Sequence, residues 1–403
     1  MDKAQQLEKQ YHFQVYNRLP VTLSHGKGAL VWDTEGNEYL DAFGGLAVNN
    51  LGHCHPKVVA AIKEQSEKLL HASNFFYNEP QSLLAEKLAK ISGLDRVFFC
   101  NSGVEAMEAC IKLARKWGKK HGKTGNLITL SEGFHGRSLA TIAMGMPSYT
   151  EGFDPMPEGF EQVPFNDFET LKAVANKETI AIAFETIQGS GGVNVIDAEF
   201  MQKTRILCDE LNILMIIDEV QCGVGRSGKF YAYQHFDVMP DIVATAKALA
   251  GGVPIGAVMA KEEVASAFGF GDHGTTFGGN PFACHVANAA LDAIEDEKIV
   301  EQAAEKGLFM MKLLKEKLGG NSSVKDIRGL GLMIGVELDR PARPVVDKMF
   351  EHKVLGNAAH GTVVRFLPPL VISKEQIERV VEVLVLALEN SLNENTDDTD
   401  LAV

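Results

Sequence analysis

Short apolar runs alternate with amphipathic segments through the middle of the chain. Apolar residues recur at helical spacing in HPKVVAAIKEQSEKLL and in VEAMEACIKLARKWGKK, which predicts two helices. The apolar runs between such segments are RVFFC, NLITL, TIAIAFE, ILMIID, DIVATA and GAVMA. Runs of this kind, separated by helices, are typical of a parallel sheet that is covered on both faces. The pattern therefore predicts an α/β fold with a mostly parallel central sheet.

The two ends of the chain have a different pattern. In residues 1–47, apolar and polar positions partly alternate around a Thr-Glu-Gly turn, which predicts a small β meander. Beyond residue 295 the pattern predicts helices and strands in DEKIVEQAAEKGLFMMKLLKEKL, GLMIGVEL, VVRFLP and SKEQIERVVEVLVLALENSL. We predict a large domain over residues 48–295 and a smaller α+β domain over residues 296–392, to which the N-terminal segment contributes. Residues 393–403 are acidic and aperiodic, which predicts a disordered tail.

The composition is that of an ordinary soluble globular protein. The 403 residues are 45% hydrophobic and 23% charged, and the formal net charge of -14 repels nucleic acid and anionic membrane surfaces. The N-terminus lacks the apolar run of a signal peptide, and no uninterrupted apolar stretch of about 18 residues occurs. We therefore expect a cytoplasmic protein whose partners include neither nucleic acid nor a membrane.

The segment His53-Cys54-His55 contains three residue types that bind metals. Adjacent loop residues before Pro56 cannot easily all face one ion, and no second cluster with zinc-like spacing completes a site. We therefore predict no metal.

The segment from Gly223 to Gly228 fits the G-x-G-x-x-G pattern of dinucleotide-binding proteins. In that fold a helix follows the glycines, whereas here Asp218 and Glu219 would face the phosphates and no helical pattern follows. The sequence favours a glycine-rich surface turn. A nucleotide-dependent oxidoreductase and a non-catalytic metabolite-binding protein remain as alternative functions.

Asp218 and Lys247 are the two most informative polar residues. Asp218 ends an apolar run, and acids at the carboxyl ends of buried strands lie where ligands bind in open α/β sheets. Lys247 interrupts a run of small and apolar residues, where burial would lower its pKa as a Schiff-base lysine requires. A structural role remains the alternative for an isolated aspartate. Together, Lys247 and Asp218 match the two requirements of pyridoxal 5'-phosphate, which are a Schiff-base lysine and an acid for the ring nitrogen.

Three other residues could complete such a site. Ser102 stands in a Ser-Gly turn between a strand and a helix, where the helix N-terminus could hold a phosphate, although a plain helix cap is the alternative. Phe134 could stack on a flat ring, and Arg137 could bind a carboxylate through two parallel hydrogen bonds. A core phenylalanine and a surface arginine are the alternatives, but all these features coincide at strand ends.

These residues carry a resemblance that covers the chain from about Leu19 to Ile377. The chain resembles the class III, or ω-type, pyridoxal-phosphate aminotransferases, and within them the acetylornithine branch. The motifs that carry the resemblance are LGHCHPKV, FFCNSGVEAMEA, FHGRS, DEVQCGVGRSG, AKALAGGVPIGA, HGTTFGGNP and VRFLPPL. The resemblance implies a fold-type I transferase that forms a homodimer with shared active sites.

The resemblance also implies roles for individual residues. Lys247 would bind pyridoxal 5'-phosphate covalently and move the proton in catalysis. Asp218 would pair with the pyridine nitrogen, Gln221 would approach the ring hydroxyl, and Phe134 would stack on the ring. The phosphate would be bound by Ser102, Gly103, Val104 and Thr276 of the partner subunit.

The resemblance places the substrate carboxylates at further residues. Arg137 and Thr275 would contact the distal carboxylate of the amino donor, and Arg365 would bind the carboxylate next to the reacting carbon. Ser190 is a departure, because relatives in this branch normally carry a glutamate that pairs with the arginine equivalent to Arg365.

The expected reaction transfers the ω-amino group of a small-molecule donor to a 2-oxo acid. The expected donor is N2-acetyl-L-ornithine, and the expected acceptor is 2-oxoglutarate. Another ω-amino-acid transaminase is the alternative, with 4-aminobutyrate, β-alanine or a diamine as donor and pyruvate as a further acceptor.

Overall fold

The computed structural model describes residues 2–390, and the tail predicted at residues 393–403 lies outside this range. Each apolar run of the central region contains a strand, as predicted. The strands, in chain order, are β1 (Leu23–Lys27), β2 (Leu30–Asp33), β3 (Glu38–Asp41), β4 (Arg96–Cys100), β5 (Leu127–Leu130), β6 (Phe160–Val163), β7 (Ala181–Glu185), β8 (Ile187–Gln188), β9 (Asn194–Val195), β10 (Leu214–Asp218), β11 (Ile242–Thr245), β12 (Gly256–Ala260), β13 (Val324–Leu330), β14 (Met333–Leu338), β15 (Val354–Leu355), β16 (Asn357–Ala359) and β17 (Val363–Phe366).

Several helices begin at residues whose side chains cap the first turn. Asn78, Ser102 and Asn280 each accept a hydrogen bond from a backbone N–H in the first turn of the helix that follows. The helices, in chain order, are α1 (Lys3–Tyr11), α2 (Gly44–Ala47), α3 (Pro56–Ser66), α4 (Glu79–Ser92), α5 (Gly103–Lys120), α6 (Leu139–Ala143), α7 (Phe168–Val174), α8 (Ala198–Leu211), α9 (Glu262–Ala265), α10 (Pro281–Asp296), α11 (Ile299–Leu318), α12 (Arg343–Glu351) and α13 (Lys374–Asn390).

The central sheet has seven strands in the order β4-β12-β11-β10-β7-β5-β6. From β11 to β6 all neighbours are parallel, whereas β12 is antiparallel to both β11 and β4. Every residue of β5, β7, β10, β11 and β12 is buried. The predicted α/β fold with a mostly parallel sheet is confirmed. Because β7 and β10 are parallel, their last residues, Glu185 and Asp218, lie at the same edge and in register.

The C-terminal part forms a second sheet in the order β13-β14-β17-β16, with all neighbours antiparallel. The predicted N-terminal meander is confirmed as β1, β2 and β3, and β15 extends it by pairing in parallel with β3. The N-terminal residues therefore share a sheet with the C-terminal part, while the exact domain boundaries stay a prediction. No helix within residues 2–390 is long and apolar enough to cross a membrane.

Residues 223–227 are buried and Gly228 is half-buried, so the expected surface turn is wrong. The reason is Arg226, whose guanidinium is fully buried and donates to the carbonyl oxygens of Leu332 at 3.0 Å and Pro368 at 2.6 Å. The turn leads into a 3-10 segment at Ala232–His235 rather than an α-helix. The glycines thus bring the chain close to the C-terminal part, and the geometry differs from a dinucleotide site.

The two histidines beside Cys54 face different partners. The Nε2 atom of His53 lies 2.7 Å from Asp41, and that of His55 lies 3.2 Å from Glu297. Within the part of the chain that the structure describes, no group of three or more His, Cys, Asp or Glu side chains could hold a metal ion.

Candidate active site

A cavity of about 260 Å³ opens at the carboxyl edge of the central sheet. Its walls are the N-terminus of α5, the loop after β5 and the ends of β7, β10 and β11. The lining residues are Gly103, Val104, Phe134, His135, Gly136, Arg137, Glu185, Asp218, Val220, Gln221 and Lys247. The structure thus brings most of the residues singled out from the sequence to one cavity.

Lys247 follows β11 and begins a 3-10 segment, Lys247–Ala250. Its φ of 45° is in the left-handed region, which a side chain with a Cβ rarely adopts, so the surrounding structure holds it there. Desolvation lowers the pKa of the Lys247 amine to about 8, although Asp218 and Glu185 favour the charged form. An amine with this pKa is available as a nucleophile and as a proton carrier near neutral pH.

Asp218 is held between two hydrogen-bond donors. One carboxylate oxygen lies 2.8 Å from Nδ1 of His135, and the other accepts the backbone N–H of Val220 at 3.0 Å. Desolvation opposes protonation of His135, but the Asp218 carboxylate outweighs it and raises the pKa of the imidazole. His135 was not predicted from the sequence, although it stands beside Phe134 in the GFHGRS segment.

Glu185 is a second carboxyl group that the sequence analysis missed. It ends β7 in register with Asp218 and accepts the backbone N–H groups of Phe134 at 3.0 Å and Gly189 at 3.4 Å. Burial raises the pKa of Glu185 to about 7. Its position at the end of an apolar run is the same signal that identified Asp218.

The N-terminus of α5 lies at the cavity. The Ser102 hydroxyl accepts the backbone N–H of Glu105 at 3.3 Å, so Ser102 caps α5. Gly103 and Val104 line the cavity with first-turn N–H groups that have no partner within a helix. A Cβ at Gly103 would come within 2.7 Å of the Val220 side chain, so a larger residue here would require Val220 to move. This helix terminus can bind an anion.

Arg365 on β17 is buried and contacts neutral groups. It donates to the Asn357 side-chain oxygen at 3.1 and 2.6 Å and to Gln221 at 3.3 Å. Among residues 2–390, no carboxylate lies within salt-bridge distance of Arg365. Desolvation lowers the pKa of Arg365 to about 10. Asn357 pairs with Arg365 across the β16–β17 hairpin, and sequence reasoning did not identify it.

Thr275 and Thr276 lie outside the first cavity. They line a neighbouring cavity of about 960 Å³, and the Thr275 hydroxyl accepts from the Asn101 side chain at 3.2 Å, next to the start of α5. Thr276 is exposed to solvent. A single chain therefore does not bring Thr276 to the residues around Lys247.

Comparison with known proteins decides the family of this site. The model of the family described as aminotransferase class III matches residues 12–388.

The chain belongs to the class III aminotransferases.

Several well-matched relatives of this aminotransferase carry related names. It is 51% identical to the acetylornithine aminotransferase of Methanocaldococcus jannaschii over 94% of this chain and 96% of the relative. A crystal structure of ornithine aminotransferase from Toxoplasma gondii matches with a TM-score of 0.93 and 36% identity, over 97% of this chain and 96% of that one. Acetylornithine aminotransferase from Elizabethkingia anophelis matches with a TM-score of 0.85 and 34% identity, over 96% and 98%. The predicted family and reaction type are confirmed.

Proposed function

We propose that this aminotransferase uses pyridoxal 5'-phosphate, held in the cavity of Lys247 and Asp218. The observation that carries the proposal is a lysine amine with a pKa of about 8 in the same cavity as the Asp218 carboxylate. A structure of the Toxoplasma gondii ornithine aminotransferase, 36% identical to this chain over 97% of its length, is described as having partial occupancy of this cofactor at its active site.

The residues present fit this cofactor. The Lys247 amine would bind it covalently, Asp218 would pair with the ring nitrogen, and Gln221 would meet the ring hydroxyl. Phe134 would stack on the ring. The phosphate would be bound at the N-terminus of α5, by Ser102, Gly103 and Val104.

When bound, pyridoxal 5'-phosphate supplies a ring that takes up the electron pair released at the reacting carbon. Lys247 then acts as general base and acid, because an amine with a pKa of about 8 exchanges a proton readily near neutral pH. The His135 ring holds Asp218 in place through the 2.8 Å contact.

For the substrates, we propose N2-acetyl-L-ornithine as donor and 2-oxoglutarate as acceptor. The names of relatives that are 45% to 51% identical support this choice. Arg137 would bind the distal carboxylate of the donor with Thr275. Arg365 would bind the carboxylate next to the reacting carbon, which only the 2-oxo acid and its amino-acid product have. A different ω-amino-acid donor is the second candidate, because Arg365 contacts neutral groups here and Ser190 cannot neutralise it.

A donor panel tests the substrate proposal. With 2-oxoglutarate as acceptor, glutamate formation should show a kcat/KM for N2-acetylornithine at least about tenfold above that for 4-aminobutyrate, β-alanine or putrescine. In Ser190→Glu, the new carboxylate should compete for Arg365 and raise the KM for 2-oxoglutarate by about tenfold. Faster turnover with one of the other donors would overturn the acetylornithine assignment and leave the aminotransferase assignment intact.

We further propose that the chain acts as a homodimer. The cavity around Thr276 is bordered by almost fully exposed aromatic side chains, with Phe75 at 94% and Phe270 at 113% exposure. Exposed aromatic side chains of this size, clustered in one place, are typical of an interface. A second copy would cover them and would supply Thr276 to the cofactor phosphate.

Sedimentation velocity at micromolar concentration should show a dimer. Phe270→Asp should raise the dimer dissociation constant by about thirtyfold or more, because it places a charge in an apolar contact. Leu308→Asp is the matched control, since Leu308 is 74% exposed on α11, away from this cavity. A wild-type monomer with full turnover would show that the active site is complete in one chain.

A further inference from the structure

Tyr149 forms a compact cluster with Phe134 and Arg137, two residues that line the first cavity. The Cζ atom of Arg137 lies 4.0 Å from the Tyr149 ring centroid and 5.5 Å from that of Phe134. The two rings are 5.7 Å apart and nearly perpendicular, at 86°. We call this arrangement the aromatic corner. Tyr149 ends a 3-10 segment, Pro147–Tyr149, which follows α6 and returns the chain to the loop that carries Phe134.

The aromatic corner stabilises the guanidinium without a competing carboxylate. Within residues 2–390, no carboxylate lies within salt-bridge distance of Arg137, whereas Arg328 contacts both Asp326 and Glu337. A guanidinium that stacks on a ring is attracted to the ring face and keeps its N–H edge open. Arg137 is also exposed towards solvent, so a substrate can reach that edge.

The Tyr149 side chain acts through its ring. Desolvation raises the pKa of the Tyr149 hydroxyl even though Arg137 and Arg365 lower it, so the phenol stays neutral at physiological pH. A neutral phenol does not cancel the charge of Arg137. The perpendicular contact with Phe134 fixes the direction of the ring that supports Arg137.

We propose that Tyr149 is a positioning residue that determines specificity, because its ring holds Arg137 where the distal carboxylate of the substrate arrives. This inference rests on the carboxylate-binding role proposed for Arg137. Arg365 donates to Gln221, which lines the same cavity as Arg137, so two guanidinium groups without a salt-bridge partner among residues 2–390 lie near each other. The ligand class that fits this pocket is a short dicarboxylate.

The test measures ligand preference in the holoenzyme. Calorimetry gives the affinities for glutarate, which has two carboxylates, and for butyrate, which has one. The ratio of the two affinities measures how much the second carboxylate contributes to binding. Tyr149→Leu should lower this ratio by about twofold to thirtyfold, the range expected for losing one cation–π contact. Tyr149→Phe keeps the ring and should keep the ratio. Should Tyr149→Leu fail to fold, Tyr149→Met removes the ring in the same way.

Two further variants separate the possible results. Arg137→Ala should lower the ratio at least as much as Tyr149→Leu. Phe153→Leu, in the same loop, removes a ring that is 58% exposed, and it should leave the ratio unchanged. In turnover, Tyr149→Leu should raise the KM of a donor with a distal carboxylate and leave its kcat within about twofold.

The outcomes are distinct. A wild-type ratio in Tyr149→Leu, together with a low ratio in Arg137→Ala, overturns the role of Tyr149 alone. A wild-type ratio in both overturns the proposed role of Arg137 and the inference with it. An equal loss in Tyr149→Phe and Tyr149→Leu shows that the hydroxyl acts rather than the ring, which also overturns the inference.

Discussion

Lys247→Ala is expected to abolish transamination, with kcat reduced by roughly 10⁴-fold or more, as for removal of other covalent catalysts. The variant loses the amine that would bind the cofactor and the only lysine that lines the described cavity, so no neighbour replaces it as proton carrier. The loss should appear in kcat with both substrates, because each half of the reaction needs the same proton transfer. Stopped assays of glutamate formation measure it directly.

The matched control is Lys261→Ala. Lys261 follows β12 as Lys247 follows β11, but its amine contacts Asp241 at 2.6 Å. Its removal should affect stability rather than turnover. Borohydride reduction followed by peptide mass analysis should find the cofactor on the Lys247 peptide of the wild type and of Lys261→Ala. Activity of Lys247→Ala within tenfold of the wild type would mean that the lysine is misassigned.

Periodicity predicted the strands well but could not predict their direction. GAVMA reads like the other buried runs, yet β12 is antiparallel to both neighbours. An apolar run indicates burial on both faces, while its direction depends on the length and path of the preceding connection. The Gly223–Gly228 turn was predicted at the surface because no helical pattern follows the glycines, whereas the burial of Arg226 depends on carbonyl oxygens more than 100 residues away.

The site was predictable where one residue departs from its surroundings. Asp218 and Lys247 each break an apolar segment, so their chemistry is visible in the sequence. His135 and Asn357 carry no such signal, because each is defined by a partner that only the fold supplies. The His135 ring meets Asp218 across 83 positions, and Asn357 reaches Arg365 through a hairpin.

The same limit applies to the residues that act through other residues. Tyr149 gains its significance from a guanidinium on a different segment, and a tyrosine in a loop is otherwise unremarkable in a sequence. The residue types that perform chemistry could therefore be read from the sequence, whereas the residues that position them could not.

Asp218→Asn should lower both cofactor affinity and kcat by about 10² to 10⁴-fold, since breaking a buried charged pair costs about 3 to 5 kcal/mol. Asparagine keeps the shape of the side chain, but it cannot balance the charge of a protonated ring nitrogen. It also removes the carboxylate that, together with Glu185, raises the pKa of the buried His135 ring against desolvation. Cofactor affinity is measured by equilibrium titration of the apo-protein, and turnover at saturating cofactor.

A second buried aspartate gives the control for this prediction. Asp241 directly precedes β11, at the edge of the sheet opposite to Asp218. It accepts hydrogen bonds from the Met215 N–H at 2.7 Å, Arg205 at 2.8 Å and Lys261 at 2.6 Å. Asp241→Asn should therefore lower the melting temperature and leave cofactor affinity unchanged, the reverse of Asp218→Asn. If both variants lose only stability, Asp218 is a structural acid, as its alternative interpretation from the sequence holds. Because the two aspartates stand at opposite edges of the same sheet, the pair distinguishes chemistry at the carboxyl edge from stability in general.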